Sequence, residues 1–451
     1  MNRRHAGVVA AIALASRLAI VVWAGGRFPA AADGYFYDAF AKRLSIGAGY
    51  TWLWPDGVIT PAAHYPVAYP AMLAPFYAML GAHVGVAMMV NALLGTVGVV
   101  ALYTVLARFT SARRALVGGV LFAVHPAIVP YTAAVMTEGA TLSLLCIATA
   151  TASLPKRLGA RVIGTGLALG VATLVRPQCV LLAPVFGWIV AGGGNLRKRL
   201  VNVAIVSMLT IAVCLPWTAR NCIRMDRCAL VSVNGGWNLL IGTQTTTGSW
   251  TELAVPDECK TVWSESKKDE CFERAARREI REHPMAWLRR APRKLFVTFD
   301  YFGAAPWYLH QSNGSAFSER SKWVLGIVET VFSRLALLAA LFATSRRRGA
   351  FARARTLIAI AGALFAVSEH GSVGYLLLAA NLLLGSWGAL ELATAAVIIE
   401  TAILHMIFFG GGRYGLVIAP FVVAVTVCGR TTPIRREYEP ASDALEPVQP
   451  V

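Results

Sequence analysis

The stretch AADGYFYDAF, residues 31–40, sets Asp33 and Asp38 among Tyr35, Phe36 and Tyr37, directly after an apolar run that opens at Val8. A carboxylate at such a place can accept the proton of an attacking hydroxyl group. Cationic groups recur at comparable places: Arg17 inside the first apolar run, His64, Arg176 between two runs, Arg220 after a third and Arg413 before the last. A guanidinium is permanently charged and binds phosphate oxygens bidentately, so these arginines suit an anionic lipid head. Glu138 opens another run. An ionisable side chain inside a membrane is costly unless paired or hydrated, which makes each of these a candidate for function. Plainer roles compete. Thr137 with Glu138 also reads as a helix N-cap followed by an acid that favours the dipole, Arg176 and Arg413 as chains reaching phospholipid head groups, Asp38 as a solvated acid and His64 as a hydrogen-bonded loop histidine. Asp33, Asp38 and Glu138 also offer oxygen ligands for Mg or Mn, a cofactor the sequence allows without requiring it.

The frame that must position these groups is a membrane one. Of 451 residues, 56% are hydrophobic and 15% charged, with a mean hydropathy of +0.57, too apolar for a soluble globular chain. Apolar runs bounded by basic clusters predict helices, not the alternating strands of a barrel. Twelve are predicted, near 8–24, 84–107, 115–131, 139–154, 162–175, 179–192, 201–217, 323–344, 356–368, 371–386, 391–409 and 415–428. Several fall short of the roughly 20 residues of a perpendicular crossing. The net charge of +18 calls for no nucleic acid. Its clusters lie between runs, at Arg3/Arg4, Arg108/Arg113/Arg114, Lys156/Arg157/Arg161, Arg197/Lys198/Arg199, Arg346/Arg347/Arg348/Arg353/Arg355 and Arg430/Arg435/Arg436, each two crossings from the next except the last, which is four on, so all can face the cytoplasm.

The predicted fold class is therefore an all-α polytopic membrane protein. An N-terminal transmembrane module, 1–217, carries a long first outer loop, 25–83; an external segment, 218–322, precedes C-terminal transmembrane helices, 323–430, and a Pro- and acid-rich tail, 431–451, is expected to be disordered and cytoplasmic. A rival reading takes residues 1–32 as a cleaved signal peptide, but Arg17 interrupts its apolar region and its loss would invert every later basic cluster. The 218–322 segment holds 16 Lys/Arg against 12 Asp/Glu. Its apolar residues recur at helical spacing among charges, which suits a helix lying on the outer surface or a solvated linker helix. Cys222, Cys228, Cys259 and Cys271 all fall in it; external disulfides are expected, with their connectivity open and zinc the weaker alternative.

Taken in order, ADGYFYDAFAKRLSIGAGYTW, HYPVAYPAMLAPFYAMLG, MTEGATLSLL, GLALGVATLVRPQCVLL, LPWTARN, VSVNGGWNLLIGTQ, EIREHPMAWLRRAPRKL and HMIFFGGGRYGLVIAPF make the chain similar to the GT-C superfamily of integral-membrane glycosyltransferases. Within it the resemblance is to the dolichyl-phosphate-mannose protein mannosyltransferases (glycosyltransferase family 39) and the bacterial aminoarabinose transferase of lipid A. It implies a GT-C-like bundle, a sugar donor carried on a polyprenyl phosphate, inverting transfer on the outer side of the membrane, and an aspartate of the first outer loop, here Asp33, as catalytic base. Gly34 stands where the protein mannosyltransferases have a second acid, and His64 is the nearest match to the lysine that the aminoarabinose transferases set against lipid phosphate.

That chemistry suits the residues. A leaving phosphate needs no general acid, but its developing charge needs fixed cations. One carboxylate then suffices, unlike glycoside hydrolysis, where the leaving sugar also needs a proton. The substrate-binding candidates are Arg17, Tyr35, His64, Tyr65, Glu138, Arg176, Arg220, Trp237, Asn238, Arg413 and Tyr414. Tyr35 and Tyr37 could stack on a sugar or belong to the interfacial aromatic belt. NGGWNLLIG, 234–242, reads as a tight turn presenting Trp237 and Asn238. Tyr65, Pro66, Tyr69 and Pro70 read as a stiff, extended loop entry. The partners expected are the lipid-linked sugar, a lipid, glycan or protein acceptor and the membrane, which would be a bacterial inner membrane with the site facing outward. A transporter or flippase is the rival class, against which the charges gather at one rim and no internal repeat appears; a polymerase or ligase of lipid-linked glycans would differ only in acceptor.

Overall fold

The computed structural model describes residues 2–153, 155, 157–300, 303–345, 351–385 and 388–428. Helix α1, Arg3–Ala24, starts at Asn2, whose side chain accepts from the N–H groups of Arg4 and His5. The segment 25–83, read from the sequence as a long first outer loop, has secondary structure of its own. It folds into α2 (Asp33–Ser45), a hairpin of β1 (Thr51–Leu53) and β2 (Ile59–Pro61), and α3 (Ala68–Leu80). Tyr69 and Pro70 thus lie in the first turn of a helix, where proline's missing N–H costs nothing.

Next come α4 (Val84–Phe109), α5 (Ala112–Ala123), α6 (Thr137–Ser153), α7 (Leu158–Val175), a 3-10 turn Pro177–Leu182 running into α8 (Ala183–Ala191), and α9 (Leu196–Arg224). The external segment holds α10 (Gly235–Gln244), α11 (Asp257–Lys260), α12 (Glu265–Glu282), α13 (Pro284–Arg289), α14 (Ala291–Phe299) and α15 (Ala304–Ser312). The last part is α16 (Glu319–Ser345), α17 (Ala352–Ala366), α18 (Gly371–Leu383), α19 (Ala389–Ile407) and a 3-10 turn Gly412–Ile418 leading into α20 (Ala419–Val427).

Within the described residues, each of the twelve predicted runs carries a helix. The run 115–131 stops early, at Ala123, because Pro126 keeps the residue before it out of the α region; a 3-10 turn, Pro130–Ala133, follows. Among the described residues, six helices are long and apolar enough to cross a membrane: α1, α4, α7, α9, α16 and α19. Four shorter apolar ones are α3, Pro177–Ala191, α18 and Gly412–Val427. Their outward faces expose Val22, Met208 and Leu335, each at least 60% exposed, a surface that water would penalise and lipid accepts. Inward, the helices approach closely through small residues: a Cβ added to Gly98 of α4 would stand 2.9 Å from the Cα of Ser143 in α6.

Because the helices alternate in direction, Arg3, Arg4, Arg108, Arg113, Arg114, Arg157, Arg161, Arg197, Lys198, Arg199, Arg353 and Arg355 fall at one end of the bundle, and Asp33, Glu138, Arg176 and Arg413 at the other. Lys156, Arg346, Arg347, Arg348, Arg430, Arg435, Arg436 and the tail 431–451 lie outside the described residues. At the site end the two long connecting segments dock on each other. The Ala63 N–H donates to Glu265 at 2.6 Å, and the Ser312 hydroxyl to the Pro29 carbonyl at 2.6 Å. Disulfides join Cys222 to Cys228 and Cys259 to Cys271.

Candidate active site

Asp33 is the first residue of α2, directly after Ala32, whose φ of 50° turns the chain sharply. Glu138 stands in the first turn of α6, Arg176 closes α7, and Arg413 lies in the 3-10 turn before α20. Four elements, scattered along the sequence, therefore deliver four charges to one place.

The charges alternate. Asp33 receives the Arg413 guanidinium at 2.6 Å. Arg413 also approaches Glu138 at 3.5 Å, and Glu138 accepts from Arg176 at 2.8 Å. Glu138 takes a third donor, the Tyr131 hydroxyl, at 2.8 Å, while Arg176 donates its Nε to Thr137 at 3.1 Å. The Tyr414 ring lies 5.0 Å from both guanidinium carbons and stacks on His405 at 4.1 Å. On the far side Asp33 accepts the Tyr65 hydroxyl at 3.3 Å.

The two carboxylates are not equivalent. Glu138 has no exposed side-chain surface and is saturated by donors, so it anchors the two arginines. The Asp33 side chain is 35% exposed. Burial pushes its carboxyl upward, but Arg413 outweighs this and holds it below the ordinary aspartate value, so it is ionised and can face a substrate. Burial and the Asp33 charge raise the Tyr65 phenol, which stays protonated and donates.

Tyr308 of α15 fixes the distance between the two acid-bearing segments. Its hydroxyl accepts from the Ala31 N–H and from the Val135 N–H, both at 3.2 Å. Gly34 packs into the same contact: a Cβ there would stand 2.8 Å from the Val135 carbonyl oxygen and 3.0 Å from the Tyr308 hydroxyl. The second acid of the protein mannosyltransferases has no room at this position.

Of the groups read from the sequence, Asp33, Tyr65, Glu138, Arg176, Arg413 and Tyr414 come together. Others do not. Arg220 donates to the carbonyls of Ala62 and Tyr50, both at 2.8 Å, and so braces the hairpin instead of holding an anion. Arg17 donates to the carbonyls of Ala13 and Ala123 at 3.1 Å, closing the C-terminal end of α5. Tyr35 is 58% exposed and meets only the edge of Phe36 among the described rings. His64 packs between Tyr65 and Trp237, at 4.9 and 5.3 Å; burial pushes its imidazole down to about 4 against the pull of Asp33, so it is neutral at pH 7 and no counter-ion for phosphate. Trp237 is thereby one shell from the site, resting also on Phe272 at 5.0 Å. Asn238 follows it in α10, with no hydrogen bond or ion pair to the charged cluster among the described residues. Tyr131, Tyr308 and His405 complete the site and carried no signal of their own in the sequence, while Thr137, read there as a helix cap, accepts from Arg176.

The three carboxylates offered for Mg or Mn do not converge. Asp38 is taken by the Tyr77 hydroxyl and by Lys42, each at 2.6 Å, and the Arg413 guanidinium stands between Asp33 and Glu138. Among the described residues, the one trio of ligand-type side chains within 4.8 Å of one another is Glu279, Glu282 and His283, at the surface end of α12.

Residues 64–219 match the family described as dolichyl-phosphate-mannose-protein mannosyltransferase. No curated protein matches the chain. Among solved structures, the oligosaccharyltransferase AglB of Archaeoglobus fulgidus, in complex with an inhibitory peptide and a dolichol-phosphate, is 12% identical with a TM-score of 0.46, over 94% of this chain and 50% of that one. ArnT of Cupriavidus metallidurans, bound to undecaprenyl phosphate, is 14% identical with a TM-score of 0.42, over 94% and 78%. The chain thus spans about half the length of the oligosaccharyltransferase. The matched segment runs from His64 through Glu138 and Arg176, and it bears out the resemblance of this chain to the GT-C superfamily of membrane glycosyltransferases.

Proposed function

We propose that the protein transfers a sugar from a polyprenyl-phosphate donor to an acceptor hydroxyl, with inversion, at the outer face of a bacterial inner membrane. The observation that carries this is the Asp33, Arg413, Glu138, Arg176 chain, in which one partly exposed carboxylate stands beside two guanidinium groups fixed by a buried acid. A lipid-anchored phosphate reaches the protein at head-group depth, and the site lies at the bundle end away from the basic clusters, which cytoplasmic retention of Lys and Arg would turn outward.

The acceptor oxygen bonds to the anomeric carbon as its proton passes to Asp33. The bond from that carbon to the phosphate oxygen breaks on the opposite face, and its electron pair stays on the phosphate. Arg413 and Arg176 hold the charge that develops there, with Glu138 keeping both forks aimed. No step is routed through a metal.

Purified protein in detergent, given a panel of polyprenyl-phosphate sugars and scored for release of free polyprenyl phosphate on adding acceptor, tests the reading. Turnover of at least one donor by the wild type and none by Asp33→Asn is expected; equal turnover by Asp33→Asn rejects the base. Orientation is checked separately in whole cells after reduction: a membrane-impermeant thiol reagent should label Cys222 and Cys228, and labelling only after lysis reverses the topology.

A further inference from the structure

Arg17 leaves a charge that the transfer reaction does not use. It sits within the 22-residue apolar helix α1, 1% exposed. Its Nη1 is committed to the carbonyls of Ala13 and Ala123, while its Nη2 is buried with no hydrogen-bond partner among the described residues. Beside it lies a cavity of about 20 Å³, room for one or two waters, between α1, α4, α6 and the 128–136 segment.

Among the described residues, no carboxylate lines this cavity. The other polar groups around it are engaged: the Asn91 amide donates to the carbonyls of Thr132 and Ala134, the Ser143 hydroxyl to Gly139, and the Tyr131 hydroxyl to Glu138. The Thr132 hydroxyl has no such bond among the described residues. The rest of the wall is apolar, including Ile128, Met136, Leu142 and Leu416.

A guanidinium cannot neutralise itself by losing its proton. The C-terminal end of α5, which Ala123 closes, offsets about half a unit of charge. The remainder stands in an apolar helix where an unbalanced ion is costly, and a water would satisfy Nη2 without balancing it. We propose that the cavity binds one inorganic monovalent anion of halide size, held by Nη2 of Arg17 and the hydroxyl of Thr132. The space is too small for a phosphate on a lipid chain. Gly95 keeps the approach open, since a Cβ there would stand 2.6 Å from the Nε of Arg17. The anion touches no substrate; it lies behind Tyr131, whose hydroxyl holds Glu138.

The full-length protein in detergent is melted across a series from sodium gluconate to sodium chloride or bromide at constant ionic strength. A saturable rise of about 1–3 °C with either halide is expected for the wild type. It should be absent in Arg17→Met and need about fivefold more halide in Thr132→Val, which keeps the arginine. Crystals soaked in bromide should show an anomalous peak against Arg17, a readout that survives if Arg17→Met fails to fold. A wild type indifferent to halide, a rise retained by Arg17→Met, or no bromide peak overturns the anion and leaves a water in its place.

Discussion

If Asp33 and a donor phosphate compete for the same guanidinium, removing the carboxylate's charge should tighten phosphate binding while it stops the chemistry. Asp33→Asn keeps the shape and one acceptor oxygen but deletes the charge facing Arg413 at 2.6 Å. A hydrogen bond between charged groups contributes about 1.5–3 kcal/mol when shielded. The two side chains are 35% and 27% exposed, so solvent screening brings the effect to about 1–2 kcal/mol. Arg413 released from that partner should bind polyprenyl phosphate about 5- to 30-fold more tightly. Loss of the base should lower transfer by about 10²- to 10⁴-fold. Binding of a short-chain polyprenyl phosphate by calorimetry at low salt, alongside turnover of the sugar donor, reads both. Weaker or unchanged phosphate binding in Asp33→Asn would refute the competition, whatever happens to turnover.

Two more outcomes follow from groups outside the spans. Tyr308→Phe deprives the Ala31 and Val135 N–H groups of their acceptor, and should cost about 1–3 kcal/mol in denaturant melts and slow transfer more than tenfold with donor affinity little changed; full activity in a destabilised protein would show that Tyr308 does not set the spacing of Asp33 and Glu138. Lys294, whose ammonium donates to the carbonyls of Met406 and Ile407, is pushed down to about 8 by burial, helped by Arg290. Between pH 8 and about 10.4 the unfolded chain therefore holds a proton that the folded one has lost, so stability rises with pH across that window. Thermal melts of wild type and Lys294→Met should differ in that slope alone; parallel curves would remove the lysine from the account.

What the sequence made legible were the margins of the apolar runs and the charges placed on them. Asp33, Glu138, Arg176 and Arg413 could each be singled out that way. Their alternation could not, because it depends on how α2, α6, α7 and the turn before α20 converge. Arg17 and Arg220 looked the same as Arg176 in sequence, yet they spend themselves on backbone carbonyls that only the packed fold leaves open. His64 read as a cation because its burial against Trp237, more than 170 residues away, left no trace nearby. Helix α3 was hidden by Pro66 and Pro70, which read as a stiff, extended entry although Pro70 sits in the first turn of the helix. Tyr308 was silent for the same reason as Trp237: its partners are 277 and 173 residues distant.

The bond between Asp33 and Arg413 joins positions 380 residues apart. During synthesis the aspartate emerges early, and its guanidinium partner arrives only when nearly all of the described chain has been made and the last helices have settled beside the first. Until then the carboxylate has no cation to restrain it and the phosphate has no fork to grip. Competence for turnover thus arises late and all at once, and a ribosome that stalls before the closing helix leaves behind an inert stub instead of a half-active catalyst.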